Sequence, residues 1–123
     1  MFTTLVIDAG AALDPPLEAF LRAEKHRILR AASAAEAKAQ AREGHPDLIL
    51  LDIRLQGGGG LALLPELLME HAAAGVIVLA VKPSVSEAVE AMKMGAADVL
   101  ERPLDMKKLK RAINVQKALS KEH

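Results

Sequence analysis

The sequence contains no cysteine, no tryptophan and no tyrosine, and only two of its 123 residues are phenylalanine. Without cysteine the chain has no disulfide bond, no thiolate nucleophile and no cysteine-bound zinc, and this composition fits a reducing compartment. Without tryptophan or tyrosine it has little with which to stack on a flavin. Cysteine-dependent enzymes and cysteine-ligated zinc proteins are therefore excluded.

A net charge of one sign is also missing, because 16 basic side chains balance 16 acidic ones. A neutral chain gives no electrostatic reason to bind nucleic acid or an anionic membrane directly. No apolar run approaches the ~20 residues that span a bilayer, and the N-terminal stretch does not have the length or flanks of a signal peptide. We therefore expect a soluble, cytoplasmic domain.

What the chain does contain is a regular alternation of apolar runs and amphipathic stretches. Five short runs rich in β-branched residues or leucine lie at 3–8, 27–31, 47–52, 76–81 and 97–100. The first, third and fourth are apolar throughout, which is typical of central strands in a parallel sheet that is buried on both faces. The second is half polar, as an edge strand often is.

Helical patterns fill the gaps between these runs. Their apolar faces comprise, helix by helix, Leu13, Leu17, Phe20 and Leu21; Ala34, Ala37 and Ala41; Leu61, Leu64 and Leu68; Val85, Ala88, Val89 and Met92; and Met106, Leu109 and Ile113. Helix starts are indicated by capping boxes at Ser33–Glu36 and Ser84–Glu87 and by Asp105, and helix ends by Gly44 and Gly95. The sequence therefore predicts one domain over 1–123 with an α/β fold.

The predicted architecture is a doubly wound, five-stranded parallel sheet of order 2-1-3-4-5 with helices on both faces, as in flavodoxin-like proteins. The last helix, over 105–123, ends in a polar stretch that is typical of the start of a linker into an effector domain.

Two carboxylates mark the expected binding site of such a sheet. Asp8 ends the first run and Asp52 ends the third, and the crevice between these strands is where the strand order switches and ligands bind. Paired carboxylates suit Mg²⁺, which takes oxygen ligands, and with the metal Asp52 could attack a phosphoryl group. The alternative is that both residues merely end strands and start loops.

Two longer segments resemble the receiver domains of response regulators. The first is the sequence DLILLDIRL over 47–55, followed by Gly57 and Gly60; the second is EAVEAMKMGA over 87–96, followed by Asp98, Leu100 and Pro103–Leu104–Asp105. The second segment is most similar to receivers of nitrogen-regulation-type activators of the alternative sigma factor.

The resemblance implies a role in two-component signalling and the regulation of transcription, with a histidine kinase as partner and an attached or separate effector. It implies that Asp52 is the phosphoacceptor and that Mg²⁺ is held by Asp52, Asp8 and the backbone carbonyl of Arg54. It implies no enzyme activity beyond self-phosphorylation from a phosphodonor.

Seven positions depart from the receiver pattern, and two of them, Gln56 and Gly59, replace a proline and an aspartate that are usual in the loop. Ala9 stands where a second acidic metal ligand is usual, so Mg²⁺ should bind weakly. Ala80 and Val81 replace a hydroxyl residue and its small neighbour, which leaves only the backbone of Ala80 for phosphoryl contact. Val99 replaces the switch aromatic, and Arg102 replaces the lysine that contacts the phosphoryl group.

Two functions stay open at this point. One is a switch that is phosphorylated at Asp52, with Ala80 and Val99 as its switch positions. The other is a pseudo-receiver that binds itself or an effector without phosphorylation. A third, a flavodoxin-like cofactor binder, is disfavoured because the segments 8–10 and 15–16 offer no phosphate cradle of serine or threonine.

Charged residues of the fourth helix, fifth strand and fifth helix form a candidate surface for a homodimer, in line with the receiver resemblance. They are Glu87, Glu90 and Asp98 on one side and Lys107, Lys108 and Arg111 on the other. The simpler interpretation is a solvated helix face. We expect His26, His45 and His71, which have no metal-ligand spacing, to be surface or boundary residues.

Overall fold

The protein is described by a computed structural model over residues 2–8, 15–53, 60–70 and 75–121. Strands and helices alternate through the chain. They are β1 (Thr3–Ile7), α1 (Pro15–Ala23), β2 (Arg27–Ala31), α2 (Ala34–Gly44), β3 (Leu48–Asp52), α3 (Gly60–Glu70), β4 (Gly75–Val81), α4 (Val85–Lys93), β5 (Asp98–Arg102) and α5 (Met106–Lys121).

The five strands form one parallel sheet in the order β2-β1-β3-β4-β5. This confirms the fold and the strand order that the sequence predicts. Strands β1 and β3 are buried along their whole length, and β2 and β5 at the two edges are partly exposed. The continuous apolar runs therefore lie at the centre of the sheet, where both faces are covered.

Each face of the sheet carries its own apolar core. On one face, Leu5, Ile49 and Val78 pack with buried residues of α2, α3 and α4. On the other face, Leu50 and Leu79 pack with buried residues of α1 and α5. Because side chains alternate along a strand, residues at odd and even positions of each strand pack into different cores.

The helix caps that the sequence predicts are largely present. The Oγ of Ser84 accepts a hydrogen bond from the backbone N–H of Glu87 at 3.1 Å, and the Ser84 N–H donates to the Glu87 carboxylate at 3.0 Å. The hydrogen bonds of the Ser84 backbone and side chain lower the pKa of Glu87. Ser33 caps α2, and Asp105 accepts from the Lys107 N–H at 2.9 Å.

The buried face of α4 differs from the apolar face that the sequence predicts. In α4 the buried residue is Ala91, whereas Val85, Val89 and Met92 are 81%, 45% and 49% exposed. The helix turns its alanines towards the sheet, because a small side chain allows close approach, and its larger apolar residues face outward.

Helix α2 ends at Gly44, as the sequence predicts, and the left-handed cap residue is the next one, His45, with φ 47°. The lack of a side chain at Gly44 leaves room for Leu29 of β2. Gly95 does follow α4 with φ 110°, as the sequence predicts.

His26 lies at the boundary between α1 and β2, as predicted, but it is buried and not at the surface. Its side chain is 7% exposed, and its Nδ1 is hydrogen-bonded to the Thr4 hydroxyl at 2.9 Å. The ring lies 4.9 Å from the Phe2 ring and 6.4 Å from the Phe20 ring. Both phenylalanines of the chain thus surround this histidine. His45 is exposed as predicted, and His71 lies outside the described residues.

Burial lowers the pKa of His26 below its ordinary value of 6.5, and the nearby Lys117 ammonium lowers it further. The carboxylates of Glu24 and Asp47 oppose this shift in part. The folded protein therefore prefers the neutral imidazole more strongly than the unfolded chain does. Stability from this residue is complete above the unfolded pKa and falls as the pH drops towards the folded one.

We expect the free energy of unfolding to decrease between about pH 7.5 and about pH 5.5, measured by urea unfolding followed by circular dichroism. In His26→Gln this pH dependence should be smaller, whatever its overall stability. His45→Gln, which removes an exposed histidine, is the matched control and should keep the dependence of the wild type. An unchanged pH dependence in His26→Gln would contradict the assignment.

Candidate functional site

Three charged side chains lie at the rim of the sheet where the strands have their carboxyl ends, and strand periodicity places all three on one face. Val6, Leu50 and Leu100 all belong to the core beneath α1 and α5, and two residues after each of them stand Asp8, Asp52 and Arg102. Because strand side chains repeat every second residue, the three charged groups project on that same face. They do so where β1, β3 and β5 reach their carboxyl ends.

The three side chains meet in a shielded pocket. The Arg102 Nη2 donates a hydrogen bond to the Asp8 carboxylate at 3.2 Å, and the Arg102 Nε forms an ion pair with Asp52 at 3.4 Å. The side chains of Arg102, Asp8 and Asp52 are 17%, 15% and 7% exposed. The structure thus brings together the two carboxylates that the sequence pairs, and adds the cation between them.

Arg102 reaches the carboxylates from a distant strand. It pairs in register with Val81 of β4, and β4 separates it from Asp52 on β3. Adjacent strands lie about 4.8 Å apart, so the long arginine side chain crosses one strand to reach Asp52 and a further strand to reach Asp8. The predicted fifth strand stopped at Leu100; its extension to Arg102 is what fixes the arginine at this rim.

The positive charge of Arg102 compensates the negative charges of Asp8 and Asp52, and this stabilises the pocket. Removal of one partner from a buried ion pair commonly destabilises a protein by about 3–5 kcal/mol, because the other charge is left without compensation. Two carboxylates side by side would repel each other. The guanidinium reduces this repulsion, so the pocket depends on all three groups.

Ala80 and Val99, the two predicted switch positions, lie together on the opposite face of the sheet. Both line a small apolar space with Ile53, Val78 and residues of α4. Ala80 is 1% exposed and carries no hydroxyl. Val81, the next residue, is 39% exposed. Ala80 and Val81, at the end of β4, therefore offer no side-chain hydrogen-bond donor to the pocket of Asp8, Asp52 and Arg102.

Other predicted site residues cannot be placed. Ala9 and Arg54 lie outside the described residues, so the predicted carbonyl ligand of Arg54 stays a prediction. Among residues 2–8, 15–53, 60–70 and 75–121, no three side chains of histidine, cysteine, aspartate or glutamate lie close enough to hold a metal ion. Asp8 and Asp52 have the oxygen donors that Mg²⁺ prefers, and a guanidinium already acts as the cation between them.

Only some of the charged residues of the candidate homodimer surface line one groove. Asp98, Lys108 and Arg111 line a groove between β5 and α5. Glu87, Glu90 and Lys107 are exposed but do not line that groove. The charged residues therefore do not form a single cluster.

Sequence reasoning missed the apolar part of this surface. Val89 and Met92 of α4 line a second groove with Val99 and Asp98, and Val115 of α5 is 51% exposed. The signal was present, because α4 carries more large apolar residues than one buried face of a short helix needs.

The family comparison matches nearly the whole chain. The model of the response regulator receiver domain matches residues 4–114. The transcriptional regulatory protein ZraR of Escherichia coli K12 is 36% identical over 119 residues, which cover 97% of this chain and 26% of ZraR. This chain therefore spans about a quarter of the length of that relative.

Two further similarities cover more of the other protein. PilH of Pseudomonas aeruginosa is 30% identical over 116 residues, covering 93% of this chain and 96% of PilH. A response regulator of Burkholderia pseudomallei, crystallised with a phosphorylated aspartic acid, a calcium ion and citrate, has a TM-score of 0.82 at 26% identity, covering 100% of this chain and 75% of that one. In the part of the chain that is described, no helix is both long and apolar enough to cross a membrane.

Proposed function

This chain belongs to the response regulator receiver domain family, and on that premise we propose that Asp52 accepts a phosphoryl group as a two-component signal. The observation that carries the proposal is the pocket at the end of β3, where Asp52 lies beside Arg102 and within the same cluster as Asp8. The Burkholderia regulator with a phosphorylated aspartate supports it, as a relative of the same fold.

The proposed reaction is a transfer between two nucleophiles. A carboxylate oxygen of Asp52 attacks the phosphorus of a phosphodonor, either a phosphohistidine of a histidine kinase or a small acyl phosphate. The new P–O bond forms as the donor's bond to phosphorus breaks, and the donor leaves with that electron pair. Arg102 and the backbone N–H of Ala80 contact the phosphoryl oxygens in this proposal.

Asp8, Asp52 and the backbone carbonyl of Arg54 are the residues that would hold Mg²⁺. When bound, Mg²⁺ supplies positive charge that reduces repulsion between the incoming phosphoryl group and the carboxylates. Ala9 contributes no carboxylate, so two side chains share the task that three perform in ordinary receivers. We propose that Mg²⁺ binding is consequently weak.

The output of the signal is proposed from the relatives. ZraR is a transcriptional regulator, and we propose that this domain acts in the cytoplasm on an attached or partner effector of transcription. Because Ala80 and Val99 share one apolar space with α4, a shift at the end of β4 would be passed to α4. The absence of a hydroxyl and of a large ring at these positions makes that coupling weaker than usual.

Incubation with a small acyl phosphate and Mg²⁺ should add one phosphoryl group to the wild type, read as intact mass. Asp52→Asn should give no adduct, because the amide is not a nucleophile of comparable strength. Asp105→Asn is the matched control, since it removes an exposed carboxylate and asparagine caps a helix equally well. It should be modified like the wild type.

The absence of any adduct on the wild type would contradict the proposal and favour the pseudo-receiver alternative. An adduct that persists in Asp52→Asn would show that another group is modified. The proposed role of Asp52 therefore has two independent ways to fail.

A second proposed activity, self-association, is favoured by the exposed apolar residues beside the charged groove. We propose that α4, β5 and α5 form a homodimer surface centred on Val89, Met92 and Val115. Asp98 carries one sign of charge and Lys108 and Arg111 the other, which suits a two-fold contact of a surface with its own copy. Apolar patches rimmed by charge commonly mark such interfaces.

We expect Met92→Glu to weaken dimerisation by about tenfold or more, because a carboxylate would be buried without a partner. The dissociation constant is measured by sedimentation equilibrium, with and without phosphodonor. Met69→Glu is the matched control, since Met69 is 86% exposed and belongs to α3, which is not part of the proposed surface. A wild type that stays monomeric in both conditions, or equal effects of the two variants, would contradict this surface.

A further inference from the structure

A built-in cation lies where the two carboxylates of the pocket converge. The guanidinium of Arg102 contacts Asp8 through Nη2 at 3.2 Å and Asp52 through Nε at 3.4 Å. Both carboxylates are shielded, at 15% and 7% exposed. A divalent cation would have to bind the same two side chains.

We infer that Arg102 is a tethered counter-ion that competes with divalent cations for Asp8 and Asp52. This inference rests on the proposed site, but it requires no phosphoryl transfer. With the guanidinium in place, the three side chains sum to a single negative charge; without it, the two carboxylates carry two. The attraction for a cation at short range is larger in the second state, and screening is weak in a shielded pocket.

The shape of arginine is what lets one side chain hold both carboxylates. Two different nitrogens of the planar guanidinium lie beside the two residues: Nη2 donates a hydrogen bond to Asp8, and Nε forms an ion pair with Asp52. A lysine has a single charged nitrogen on a flexible stem and cannot use this fork. The competition is therefore a property of Arg102 in this chain, and it should weaken in Arg102→Lys.

The competition couples two events at the site. A divalent cation can take up the carboxylates only when the guanidinium leaves at least one of them. The same displacement makes the guanidinium available to an incoming phosphoryl oxygen. A cation would thus favour the arrangement in which Arg102 faces the phosphodonor, because a ligand shifts an equilibrium towards the state that it binds better.

The first test is Mg²⁺ titration by isothermal calorimetry, without any phosphodonor. Arg102→Gln should bind Mg²⁺ at least about tenfold more tightly than the wild type, and Arg102→Lys should lie between them. Arg27→Gln is the matched control: it removes the same charge from an exposed arginine at the start of β2, at the opposite rim of the sheet. It should bind like the wild type.

The double variant Arg102→Gln with Asp52→Asn should lose the gain in affinity, since a carboxylate is missing. Affinity in Arg102→Gln that equals or falls below that of the wild type overturns the inference. So does an equal gain in Arg27→Gln, because that result would reflect net charge alone.

A second measurement needs no destabilising variant. In the wild type, the side-chain Nε–H resonance of Arg102, assigned by its absence in Arg102→Lys, is followed during Mg²⁺ addition by heteronuclear NMR. The resonance should shift together with the backbone amides next to Asp52. Amide shifts without any change of the Arg102 resonance overturn the inference. Since neither test uses phosphoryl transfer, failure of the proposed function and failure of this inference are distinguishable.

Discussion

The contact of one guanidinium with two carboxylates is the interaction on which the candidate site depends. Asp8 and Asp52 are buried enough that their charges need compensation close by, and Arg102 supplies it from the far edge of the sheet. The compensation is possible because three strands direct these side chains to one face. The charge compensation in the pocket therefore depends directly on the geometry of the sheet.

Much of the fold could be predicted because its signals are long and repetitive. Continuous apolar runs mark β1, β3 and β4, and the alternation with helices limits the sheet to few topologies. The meeting of Asp8 and Asp52 followed from their positions at the ends of neighbouring strands. Nothing about that convergence required knowledge of an individual contact.

The finer details depended on packing that the sequence does not encode locally. A charged pair before a proline, Glu101 and Arg102, gave no sign that β5 continues through it. In α4 the size of an apolar side chain was a poor guide to burial, since Ala91 lies inward and Val85 outward. The burial of His26 was not predicted, because two of its partners, Thr4 and Phe2, are remote in sequence.

The position of Arg102 on an edge strand has a consequence for local opening. An edge strand has only one neighbour to hold it, and segments of this kind separate from a fold more readily than its centre does. Brief detachment of β5 from β4 would withdraw the arginine while Asp8 and Asp52 stay on their central strands. Fraying of this edge of the sheet would then control how much net negative charge the pocket presents to ions in the solvent.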